Sequence, residues 1–184
     1  MDTAFAWIGY IVEWFGKWIP RLLIIRRTHA GVKFVWGNHV KRMGPGLHVF
    51  WPLVTEVEVI PVARQTHNLL TQVLMTSDKQ SVVIGAVVIY DISNIVDALS
   101  NNWDLSDTIS DVTQMAVVKI VSGRSLNDLQ DELSGKVENE LTIETRRRLK
   151  NFGIAVERCG VSDFSTCRVY RVINDGEMSF PQTK

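Results

Sequence analysis

The side chains best equipped for chemistry are few and scattered. The four histidines, His29, His39, His48 and His67, show no i,i+4 pair and no His-Glu-x-x-His arrangement. They are read as surface or packing residues, and no metal is assigned. Cys159 and Cys167 are the only cysteines. Without Cys-x-x-Cys or zinc-type spacing they build neither a disulfide framework nor a metal site, so both are read as reduced, partly buried thiols. Ser77, Asp78 and Ser81 place hydroxyls beside a carboxylate, the raw material of nucleophilic catalysis. Ser77 and Asp78 fall in "TSDKQ", with Ser81 directly after it, however, and that stretch reads as a polar loop capping two strands. No Gly-x-Ser-x-Gly turn, phosphate-binding loop or dinucleotide fingerprint occurs, so no catalytic residue and no cofactor is assigned. "TRRRLK" at 145–150 could pair with phosphate or nucleic acid. On a helix its three arginines spread round the circumference, which predicts a solvated helix end interacting with the helix dipole.

Charge speaks to the partner. The chain carries 20 Lys and Arg against 20 Asp and Glu, a balance that points to no nucleic-acid partner. The distribution is uneven. Residues 1–50 hold seven basic and two acidic side chains, a balance of +5, and the remainder holds 13 against 18, a balance of −5. The basic front coincides with "AFAWIGYIVEWFGKWIP" at 4–20. On a helix, Phe5, Trp7, Ile8, Ile11, Trp14, Phe15 and Trp18 fall on one side, and Gly9, Glu13, Gly16 and Lys17 on the other. Eighteen residues span only about 27 Å, and two charges oppose insertion. The segment is read as an amphipathic helix lying in the membrane interface, with a spanning helix and a helix packed on its own domain as alternatives. Arg21, Arg26 and Arg27 follow, placed to attract an anionic surface. The seven apolar residues and these three arginines are the candidate membrane-binding set. Trp51 and Leu53 are a weaker candidate contact, with core packing preferred for Trp51.

The elements behind that segment read as strands, then helices, then a strand. "RLLIIRR" is a short apolar run. Val32, Phe34 and Trp36 alternate before the turn residues Gly37 and Asn38, and "GPGL" forces a sharp turn before Leu47. "TEVEVIPV" puts Glu56 and Glu58 on one face and Val57 and Val59 on the other, with Pro61 at an edge or strand end. Residues 82–92 are almost wholly apolar before Asp91, as in a central strand covered on both faces. A short helix is predicted in "NIVDALSNN". A longer one carries Ile109, Val112, Met115, Ala116 and Val118, and ends near Gly123. Ser125 with Asp128 resembles a capping box. Leu133, Val137, Leu141, Leu149 and Phe152 mark a third helix that Gly153 closes in a left-handed cap. In the last strand Ile154, Val156 and Arg158 alternate with Ala155 and Glu157. The fold class is α+β, divided as a membrane-anchoring helix at 1–20, a β-rich half at 21–92, a helix-plus-strand half at 93–164 and a short polar tail at 165–184.

Five stretches in this order, "AGVKFVWG", "GPGLHVFWPLVTEVEVIPVARQT", "LMTSDKQSVVIGAVVIYDISN", "VVKIVSGRSLNDL" and "RRLKNFGIAVERCGVSDF", resemble the SPFH or band 7 domain of stomatins, prohibitins and flotillins. The resemblance covers about residues 30–164. It implies a membrane-associated, non-catalytic scaffold that forms homo-oligomeric rings or cages, organises membrane microdomains, and regulates membrane proteins such as a protease or a channel. The bulk of the domain is then expected on the cytoplasmic side. A regulatory adaptor subunit without ring assembly of its own is the alternative. The family's long Ala/Glu-rich C-terminal helix and the N-terminal cysteines that some members acylate have no counterpart in these 184 residues, so a minimal form of the domain is expected.

Overall fold

The computed structural model describes residues 19–37 and 39–166. Its strands are β1 (Arg21–Ile25), β2 (His29–Val35), β3 (His39–Met43), β4 (Gly46–Phe50), β5 (Thr55–Pro61), β6 (Gln65–Asn68), β7 (Gln72–Met75), β8 (Ser81–Ile92) and β9 (Ile154–Thr166). Between the last two strands run α1 (Ile95–Ser100), α2 (Leu105–Ser122), α3 (Leu126–Glu132) and α4 (Glu138–Leu149). A β-rich front, helices and a final strand make this an α+β fold.

The strands form three sheets. β1 pairs with β4 alone, β2 lies between β3 and β5, and β8 pairs with β6, β7 and β9. β6 and β7 meet successive stretches of β8, residues 87–90 and 81–84, while β9 runs beside residues 82–92. The long apolar run is therefore central, but its two faces differ. Val82, Ile84, Ala86, Val88 and Tyr90 pack with Ile109, Val112, Ala116 and Leu141 in the main core. Val83, Val87 and Ile89 on the other face are only half-buried, so the expected burial of both faces gives way to burial of one.

Local chemistry sets the helix boundaries. Asn94 caps α1 by accepting from the Val96 N–H at 3.1 Å. Asp104 caps α2 by accepting from Ser106 and Asp107 at 2.8 and 3.1 Å. Ser125 caps α3, and its hydroxyl donates to the Asp128 carboxylate at 2.7 Å. Asp78 sits in the polar loop between β7 and β8, as expected, where it accepts from the Thr76 hydroxyl, and it also accepts from the Leu126 N–H at 3.3 Å at the start of α3. The third predicted helix is broken. A π-helical turn, Leu133–Val137, joins α3 to α4, and a 3-10 turn, Lys150–Phe152, ends it. Met115 and Val118 are exposed, and Thr113, Val117 and Val121 take the core positions instead.

Gly153 ends this helical stretch with φ 72°. Its carbonyl accepts from Ser93 N–H, Asn94 N–H and Ser93 Oγ at 2.9, 3.0 and 3.0 Å. That clamp fixes α1 across the second core, where Ile95 and Ala98 pack on Ala30, Val32 and Ile92.

β9 carries two irregularities against β8. The one beside Tyr90 adds Glu157, which flips the alternation. Cys159 therefore points into the core, fully buried, while Arg158 turns out to pair with Glu138 at 2.9 Å. The expected inward Arg158 is corrected by one extra residue. The outer edge of β9 is occupied by side chains of α4. Arg146 donates to the Val156 and Glu157 carbonyls at 2.8 and 2.9 Å. Thr142 Oγ1 accepts from the Cys159 N–H at 2.9 Å, and Glu138 accepts from the Val161 N–H at 3.1 Å. Arg147 and Arg148 both donate to Glu144, at 2.8 and 2.7 Å. The three arginines are thus paired within the chain, while Arg146, Arg147 and Lys150 stay exposed at the helix end.

Candidate membrane-facing surface

The β1–β4 pair is a two-stranded antiparallel ribbon in which Leu22 faces Val49, Leu23 faces His48 and Ile24 faces Leu47. Side chains alternate across such a ribbon, and directly paired residues share a face. Leu23, Ile25, His48 and Phe50 form the inner face and are buried or half-buried. Ile25 reaches the β2–β3–β5 sheet, since its Cδ1 lies 3.1 Å from where a Cβ on Gly31 would sit. The outer face is Leu22, Ile24, Leu47 and Val49, with 70%, 75%, 64% and 56% of their surface exposed. A ribbon this small gains its stability from the face it packs. Here the solvent side is aliphatic as well, where an ordinary half-buried strand would place polar residues.

The turn leading into β4 depends on glycine, because Gly46 has φ 138°, a conformation other residues adopt only with strain. Next to the ribbon lies the tip of the β2–β3 hairpin. Trp36 has φ 55° and is 76% exposed, an uncommon state for a bulky side chain. Its N–H donates to the Val54 carbonyl at 3.0 Å, which anchors the tip to the β4–β5 connection. An open hollow of about 430 Å³ separates Trp36 from Leu53. Trp51 and Leu53 are both about half exposed, so the core position preferred for Trp51 is corrected to the surface. Leu22, Ile24, Leu47 and Val49 share one face of the ribbon, and Ile19, Trp36, Trp51 and Leu53 add exposed large apolar side chains to these first sheets. Scattered exposed apolar residues need no explanation, but a contiguous set signals an interaction surface.

The family model for the SPFH domain / Band 7 family matches residues 23–175. The chain belongs to the SPFH/band 7 family. An uncharacterised protein of Archaeoglobus fulgidus is 24% identical over 160 residues, covering 85% of this chain and 63% of the relative. A putative band 7 family protein of Acanthamoeba polyphaga mimivirus is 23% identical over 139 residues, covering 76% of this chain and 46% of the relative. The chain thus spans about half to three fifths of the length of these curated relatives.

Within this SPFH chain the expected membrane-binding residues divide. Phe5, Trp7, Ile8, Ile11, Trp14, Phe15 and Trp18 lie outside the described residues. Arg21 opens β1, and Arg26 and Arg27 form the β1–β2 connection, all three exposed. They adjoin the aliphatic ribbon, which sequence reasoning missed. Its signal was present as two alternations, Leu22 with Ile24 and Leu47 with Val49, but only their pairing shows that both sets point the same way. Arg64, at the end of the family-like second stretch, is placed in the fold by an ion pair with Glu157 at 2.5 Å. No helix among the described residues is long and apolar enough to cross a membrane.

Proposed function

We propose that this chain is a non-catalytic scaffold module that lies against a lipid membrane and oligomerises there, organising or regulating membrane proteins. The observation that carries the reading is the aliphatic outer face of the β1–β4 ribbon, set beside exposed Trp36, Trp51, Arg21, Arg26 and Arg27. Family membership supports the membrane-associated scaffold role. Burying four such side chains in the acyl boundary releases on the order of 1–2 kcal/mol each, since full burial of a Leu, Ile or Val is worth about 1.5–3 kcal/mol. That sum gives reversible attachment, and stable anchoring takes a second signal. In this proposal the segment at 1–20, lying in the interface plane as an amphipathic helix, supplies it.

The test is flotation of the full chain with liposomes. Ile24→Glu with Leu47→Lys places an oppositely charged cross-strand pair on the outer face, favourable to the ribbon, and touches no core contact. Vesicle binding is expected to fall while the thermal unfolding curve stays in place. Undiminished flotation of the folded double variant rules the ribbon out as the contact. Assembly is read separately, by light scattering in mild detergent: one large species supports self-assembly, and a monomer refutes that part.

A further inference from the structure

Residues 19–55 contain Arg21, Arg26, Arg27, Lys33, Lys41 and Arg42 and not one Asp or Glu. The β2–β3–β5 sheet then sorts its charges by face. Glu56 pairs with Phe34 and Glu58 with Val32, so both carboxylates lie on the side that α1 covers through Ala30 and Val32. Gly31, Lys33 and Val35 lie on the opposite side with their partners Met43, Lys41 and His39. That is the side on which the β1–β4 ribbon sits, since both Ile25 and Val59 approach the Cβ position of Gly31 there. Lys33 and Lys41 are directly opposite each other across the strand pair, an arrangement of like charges that destabilises a sheet. Among the described residues neither lysine forms an ion pair. Lys33 is half-buried and Lys41 exposed, so an incoming anion can reach both.

The ribbon approaches the sheet on the same side as the two lysines, through Ile25 at Gly31, and a lysine can keep its charged head in the wet boundary beside an apolar contact. With the ribbon's outer face in the acyl boundary, the lysine-bearing side of the sheet is the side turned toward the headgroups. We infer that Lys33 and Lys41 together seat the phosphate of an anionic phospholipid. The inference rests on the proposed membrane attachment and adds the ligand chemistry to it: one phosphate oxygen group shared between two ammonium donors, which also cancels the like-charge repulsion.

The experiment compares binding of the full chain to vesicles of phosphatidylcholine alone and of an equimolar mixture with phosphatidylglycerol. Lys33→Gln with Lys41→Gln is expected to lower affinity for the anionic vesicles about 30-fold, from about fivefold per basic residue near such a surface, and to leave binding to phosphatidylcholine unchanged. Lys33→Arg with Lys41→Arg should retain the preference. Lys79→Asn with Lys150→Gln removes the same charge elsewhere and should change binding little. If the two double losses weaken anionic binding equally, net charge suffices and the seat is refuted. If excess inorganic phosphate at constant ionic strength displaces the protein, the ligand is free phosphate and the lipid assignment is overturned. If wild-type protein binds neither vesicle, the membrane reading falls and takes this inference with it. Wild-type binding with no effect of the glutamines overturns the inference alone.

Discussion

Two glycines with the same backbone shape and different surroundings separate strain from collision. Gly153 has φ 72° and Gly37 has φ 69°. A methyl group on Gly37 would meet nothing within 4 Å, whereas on Gly153 it would lie 2.3 Å from the Asn94 carbonyl oxygen and 3.1 Å from the Ala98 nitrogen. Alanine at either position bears the left-handed penalty of about 1 kcal/mol. At Gly37 that is the whole effect. At Gly153 the start of α1 must also withdraw by about 1 Å to restore ordinary contact. That movement stretches the three hydrogen bonds that the Gly153 carbonyl accepts from Ser93 and Asn94. At about 1 kcal/mol per bond, Gly153→Ala should cost about 3–4 kcal/mol against about 1 kcal/mol for Gly37→Ala. Urea unfolding of both variants, with unchanged slopes, reads the difference. If the two substitutions cost the same within about 0.5 kcal/mol, an error typical of such comparisons, the clamp between α1 and the end of the helical stretch does not carry the load assigned to it.

Other expectations follow from single sites. Trp36→Gly should raise stability by about 1 kcal/mol by relieving its backbone strain, yet weaken liposome binding; a loss of both would show the side chain to be structural. Glu144 takes hydrogen bonds from Arg147, Arg148 and Lys119, which hold its carboxyl at about 2 against an ordinary 4.5. A depressed acid stabilises the fold above its unfolded value and loses that contribution as pH falls. Unfolding monitored from about pH 4.5 down to about pH 2 should therefore show an acid limb that Glu144→Gln flattens, and an unchanged limb refutes the assignment. Burial pushes the Cys159 thiol up to about 12, so iodoacetamide should label it only after unfolding, as peptide mass spectrometry can establish. Labelling in the native protein at the rate of a free thiol would contradict its placement.

The order of strands, helices and last strand was legible because the apolar period changes from two to about 3.6 near Ser93. The left-handed cap at Gly153 was legible from "NFG" alone. What stayed hidden has physical reasons. β6, "QTHN", is only four residues long and owes its form to pairing with β8. The π turn at Leu133–Val137 kept the i,i+4 spacing of its two apolar ends, so periodicity did not register it. The extra residue at Glu157 exchanged Arg158 for Cys159 in the core, and nothing local marks it. The aliphatic outer face required knowing that β1 pairs with β4, a contact between residues more than twenty apart in sequence.

The side chains that α4 lays along β9 have a further consequence. β9 is 13 residues long, and its free edge would offer a template for any extended chain. In the proposed membrane-bound state this hazard grows, because copies held in one thin layer meet at an effective concentration far above that in solution. Glu138, Thr142 and Arg146, four residues apart on one helix, occupy edge groups of residues 156–161 before a neighbour can. Crowding can then bring copies together through their side-chain surfaces without converting them into a growing intermolecular sheet. The same three positions would thus help keep a dense layer of folded subunits fluid and reversible, a property of the population that no single molecule displays.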